Sequence, residues 1–68
     1  NILIAVANSK QKIFINEVKK KLNSKNELIR AMAVWAILSL DKNEFSCEKN
    51  KRFSFEKSPF VIEEWMNG

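Results

Sequence analysis

The sequence predicts an all-α fold of antiparallel helical hairpins, and three segments carry the prediction. Residues Glu27–Leu40, ELIRAMAVWAILSL, form a run with almost no polar side. Before it, QKIFINEVKKKL repeats apolar residues at helical spacing; after it, Ser58 and Pro59 open a last short helix. A helix turns once in about 3.6 residues. On that period Leu28, Ile29, Met32, Val34, Trp35, Ile37, Leu38 and Leu40 point in nearly every direction, with Ala31, Ala33 and Ala36 between them. Such a helix must be covered on several sides. The expectation is a middle layer in a helical stack, as in solenoid repeats, where each unit hides its core against the next.

Residues 1–8 read as the end of a first helix, apolar at Ile2, Leu3 and Val6, with a break at Asn8, Ser9 and Lys10. A second helix is expected over residues 11–22, where Phe14, Ile15, Val18 and Leu22 form one apolar stripe. Asn16, Glu17, Lys20 and Lys21 take its other side, and Glu17 precedes Lys21 by four residues, the favourable order for a pair. Residues 23–26 turn the chain. Ser24 and Glu27 have capping-box spacing, which puts the start of the central helix at about residue 25.

Beyond Leu40 the period degrades. Residues 41–57 are polar, and Phe45, Cys47, Phe53 and Phe55 are spaced too irregularly to choose between a short helix and a packed loop. Ser58 then supplies an N-cap and Pro59 the first helical position. Phe60, Val61, Ile62, Trp65 and Met66 give the final helix its apolar content, up to Asn67 and Gly68.

The 68 residues make one small domain, residues 1–68, near the size at which a single core still holds itself together. With 46% hydrophobic residues, one glycine and one proline, the composition is globular rather than disordered. The chain opens without Met in the apolar run ILIAVA. That run has neither the basic leader nor the cleavage site of a signal peptide, and it falls short of the roughly 20 residues that span a bilayer. The expectation is a piece of a longer protein, beginning partway through a helix, with no membrane partner.

Twelve basic residues against eight acidic give a net charge of +4, unevenly placed. From Lys10 to Arg30 there are seven basic residues and two acids, a local excess of five. Such a field suits a phosphate-bearing or otherwise acidic partner, although lysines also serve as a solvated face. In antiparallel helices, the end of the second and the start of the central helix share one rim. That rim gathers Lys20, Lys21 and Lys25, with Arg30 about a turn further in. Beside the free N–H groups of a helix start, these four are the candidate phosphate contacts. Arg30 also has a structural alternative, a pair with Glu27 or with a neighbouring repeat's carboxylate. The helix–turn–helix spacing of residues 11–40 invites a DNA-reading interpretation. Against it, the second helix offers base edges only Glu27, Arg30 and Ser39.

The chain has no histidine, so the usual acid–base residue and the commonest nitrogen ligand of zinc are missing. Its one cysteine, Cys47, holds neither a cluster nor an internal disulfide and reads as a half-buried small apolar group. The one glycine, Gly68, excludes a Gly-rich phosphate loop. Glu63 and Glu64 are adjacent on a helix, about 100° apart, and belong to its wet side. Trp35 lies in the most apolar segment and reads as core; Trp65 stays open between core and stacking surface. No catalytic residue, cofactor site or metal site is expected in this chain.

NILIAVANSK, ELIRAMAVWAILSL and EKSPFVIEEW, in that order, resemble the C-terminal HEAT-like repeat region of epoxyqueuosine reductase. In that family a helix end N-x-L-I-A-L-G-N-S is followed by L-V-R-x-x-A-A-W-A-L and later by a D-P-x-V-x-x-E helix. Asn1, Ala5, Asn8 and Ser9 match the first; Leu28, Ile29, Arg30, Ala33, Trp35 and Ala36 match the second; Pro59, Val61 and Glu64 match the third. Ala7 stands where the family has glycine, and SLDKNEF replaces a glycine-rich stretch.

The resemblance implies a role beside a reaction. The family's full-length enzyme is a cytoplasmic oxidoreductase of queuosine biosynthesis. It reduces epoxyqueuosine in the tRNA anticodon loop with a cobalamin and two 4Fe–4S clusters held by upstream domains. The implied partners are tRNA and the upstream catalytic domain of the same protein, and the implied task is to brace that enzyme and position its tRNA. A HEAT-like protein-interaction or purely structural repeat, without nucleic-acid contact, is the alternative.

Overall fold

A computed structural model describes residues 2–9 and 11–68, and of Ile2 and Val6 only the backbone. Asn1 and Lys10, read above as part of the first helix and of its break, lie outside the described residues. The fold is all-α: α1 (Ile2–Ser9), α2 (Ile15–Lys21), α3 (Glu27–Leu40), α4 (Lys42–Arg52) and α5 (Pro59–Met66). Single 3-10 turns precede α2 (Lys12–Phe14) and follow α4 (Phe53–Phe55).

The central helix has the bounds that its apolar run suggests, and it packs against each of the other four helices, most extensively against α5. Ala33, Val34, Ala36, Ile37 and Leu40 are buried along it, and the two alanines let its neighbours approach closely. Leu3 and Ala7 of α1, Val18 of α2, Leu22, Phe45 of α4, and Val61 and Trp65 of α5 complete the core. Coverage is not complete, however. Leu28 is 59% exposed and Ile29 is exposed as well. The neighbouring helices have 7 to 11 residues against 14 in α3, so they leave its first turn open.

The two tryptophans divide differently from the expectation. Trp65 is 1% exposed and packs its ring 5.3 Å from that of Phe45, tilted by 51°. Trp35 is only half-buried, because it lies on the side of α3 that faces the gap between α1 and α5.

The turn into α3 also departs from the capping-box reading. Asn26 is the cap, its Oδ1 accepting from the backbone N–H of Leu28 at 2.9 Å and of Ile29 at 3.4 Å. Ser24 Oγ instead accepts from Asn26 N–H at 3.1 Å, so it shapes the turn, and α3 begins at Glu27, where the apolar run starts. In α2, Glu17 pairs with Lys20 at 3.3 Å rather than with Lys21. Ser58 and Pro59 do open α5, but the Ser58 hydroxyl is buried without a hydrogen-bond partner and does not cap.

Residues 42–52, too irregular to assign from sequence, form a regular helix. Asp41 caps it, Oδ1 accepting from Asn43 N–H at 2.9 Å and Glu44 N–H at 3.3 Å. Its inward stripe is Phe45, Glu48 and Arg52, one aromatic followed by an ion pair, Arg52 Nε to Glu48 Oε1 at 2.7 Å. A buried carboxylate stands where a hydrophobic residue is usual, and that hides the helical period. Cys47 is exposed, not half-buried, because it points away from this stripe.

Candidate nucleic-acid interface

Lys20 and Lys21 stand in the last turn of α2 and Lys25 in the turn to α3, all three exposed. Lys20 makes a loose pair with Glu17, both side chains open to solvent; such a pair is weak and leaves the ammonium available. Lys21 and Lys25 have no ion pair among the described residues. Lys19 turns the other way. Its Nζ lies 2.8 Å from Glu44 Oε2 and 3.9 Å from Glu48 Oε2, which joins α2 to α4. The hydrogen bond to Glu44 raises its pKa, with burial opposing.

Arg30 separates from the three lysines. Its Nε donates to Glu56 Oε1 at 3.0 Å and its Nη2 to Glu56 Oε2 at 2.9 Å. Its Nη1 donates to the carbonyls of Ser24 at 2.9 Å and Lys25 at 3.3 Å. A guanidinium has five N–H donors, and here four are used within the chain. The carboxylate partner is Glu56, just before α5, rather than Glu27. Arg30 is therefore a brace for the turn that carries Lys25. The helix start is also less open than expected, because Asn26 Oδ1 takes the N–H groups of Leu28 and Ile29. The exposed cationic groups of this rim are therefore the lysine side chains rather than Arg30 or the helix start.

The fold adds charges that the sequence reading missed. Arg52 Nη1 reaches the end of α2, donating to Asn23 Oδ1 at 2.8 Å and to the Leu22 carbonyl at 3.4 Å. This sets the end of α4 beside the end of α2 and brings Lys51 to the same rim, exposed and 3.5 Å from Glu48. Burial pushes the Glu48 carboxyl up, but the Arg52 hydrogen bond and the charges of Arg52, Lys51 and Lys19 outweigh it and leave its pKa lowered. The signal was in the sequence as KNKR at positions 49–52. It stays hidden there because the helical period of α4 is itself obscured by Glu48. Between these elements lies a cavity of about 190 Å³, whose lining includes Leu22, Arg30, Lys51, Arg52 and Glu56.

Among the described residues no group of three or more His, Cys, Asp or Glu is placed to hold a metal ion. No helix among them is long and apolar enough to cross a membrane. Compared with known proteins, the chain matches no family model, no curated protein and no solved structure.

Proposed function

We propose that this chain is a HEAT-like accessory module that holds the phosphate backbone of a tRNA beside a catalytic domain of epoxyqueuosine reductase type, in the cytoplasm. The observation that carries the reading is the trio Lys20, Lys21 and Lys25, exposed on one rim while the neighbouring Lys19 and Arg30 are engaged inside the chain. Three long cationic side chains on a braced turn suit backbone contacts, which position an RNA without reading its sequence. The motif order described above supports the parent assignment, and a central helix flanked on several sides suits a repeat layer.

The module carries no step of the parent's reaction. A 4Fe–4S cluster is held by four thiolates, and this chain has the single exposed Cys47 and no histidine. Its residues do not fit such a cluster. The alternative, a protein-interaction or structural repeat without nucleic-acid contact, draws support from the open first turn of α3. Titration of tRNA at several salt concentrations separates the two: only phosphate contact gives affinity that falls steeply with salt.

A further inference from the structure

α1, α3 and α5 leave between them an apolar groove of about 550 Å³, walled by Ile4, Leu28, Met32, Trp35 and Phe60. Leu28 and Phe60 are 59% and 57% exposed, so large apolar surface meets water here. Two carboxylates, Glu63 and Glu64, edge the groove, and among the described residues no basic side chain lines it. Neither has a cationic partner among the described residues; Glu64 Oε1 only accepts a long hydrogen bond, 3.4 Å, from Asn67 Nδ2. On a chain of net charge +4, this groove carries carboxylates at its edge.

We infer that this groove receives an amphipathic helix of a protein partner, apolar along one face and flanked by lysine or arginine. The channel between neighbouring helices accepts a third helix as ridges into grooves, with apolar anchors at helical spacing. Cations on that helix would meet Glu63 and Glu64, fixing orientation more than adding affinity. A second copy of this chain fits less well. A two-fold pairing through the groove brings Glu63 and Glu64 of both copies together with no cation between them. The same carboxylates repel a nucleic acid, so the groove and the lysine rim serve different partners.

The test uses three synthetic peptides: a leucine-striped helix with lysine flanks, the same stripe with glutamate flanks, and the lysine peptide scrambled. Binding to the 68-residue chain is followed by NMR, in which the Trp35 indole N–H should shift while that of buried Trp65 stays. The lysine-flanked helix should bind at least about tenfold tighter than the glutamate-flanked one, and Glu63→Gln with Glu64→Gln should remove most of that difference. Leu28→Ser with Phe60→Ser should weaken binding about tenfold or more while leaving tRNA affinity unchanged. Equal affinity for both helices, or scrambled peptide binding as well as the ordered one, overturns the inference. A homodimer in sedimentation equilibrium that the Leu28 and Phe60 substitutions dissolve also overturns it, in favour of a second copy.

Discussion

Arg30 and Glu56, 26 positions apart, form a two-pronged ion pair, Nε to Oε1 at 3.0 Å and Nη2 to Oε2 at 2.9 Å. Glu56 Oε2 also accepts from the backbone N–H of Lys57 at 3.1 Å and of Ser58 at 3.0 Å. One carboxylate thus ties the first turn of α3 to the start of α5. Arg30→Ala should cost about 1–3 kcal/mol, the usual loss for hydrogen bonds to a charged group. Arg30→Lys should recover little, because an ammonium does not span both oxygens. Thermal melts by circular dichroism check this; an unchanged midpoint for Arg30→Ala would make the pair a bystander.

The same pair predicts acid sensitivity. The Arg30 hydrogen bonds hold the Glu56 carboxyl below the usual range against burial, and Glu48 is also lowered. A carboxyl with the lower pKa in the folded state takes up its proton more readily when unfolded. Its contribution is complete above the unfolded value, about 4.3, and is lost as pH falls through the folded one. Stability should therefore hold from neutrality to about pH 5 and decline below it. Glu48→Gln with Glu56→Gln should be less stable at neutral pH and show a shallower acid decline. Parallel acid profiles for wild type and double variant would place the sensitivity elsewhere.

Substitution of the tryptophans should separate core from surface. Trp65→Ala empties a buried site and should cost about 3–5 kcal/mol, close to the whole stability of a small domain. Trp35→Ala, at the half-buried wall of the groove, should leave a cooperative fold. Urea denaturation that finds Trp35→Ala unfolded and Trp65→Ala intact would reverse the assignment.

Most of the helical framework is legible because α3 is apolar along most of its length and residues 14–22 keep one apolar stripe, although the 3-10 turn Lys12–Phe14 shortens the helix expected over residues 11–22 to Ile15–Lys21. The misreadings trace to polar side chains whose partners helical periodicity does not reveal. Glu48 hides the period of α4 because Arg52 and two lysines make a buried carboxylate tolerable. Arg30 reads in the sequence as a phosphate contact or as half of a structural pair, and its partner Glu56 lies too far along the chain for spacing to reveal. Ser24 and Asn26 competed for one cap, and the residue nearest the helix prevailed. Lys20, Lys21 and Lys25 are legible as a basic cluster from the local charge excess and their place between α2 and α3, and the fold leaves all three exposed; Lys51 joins them only through the fold.

That competition is itself testable. Asn26→Ala should cost about 1 kcal/mol, the typical worth of an N-cap. Ser24→Ala, losing one exposed turn hydrogen bond, should cost less. Equal losses in chemical denaturation would return the cap to a shared role.

The lysine rim is tested most directly by the salt dependence of tRNA binding. Replace Lys20, Lys21 and Lys25 by Gln, which keeps helix propensity, and confirm by circular dichroism that the fold survives. Titrate tRNA against both proteins at several salt concentrations. Each lost phosphate contact should lower the log–log slope by roughly 1, so the triple variant should bind more weakly with a slope smaller by about 2–3. Unchanged affinity and slope would contradict the account and leave the rim as a solvated face of a structural repeat.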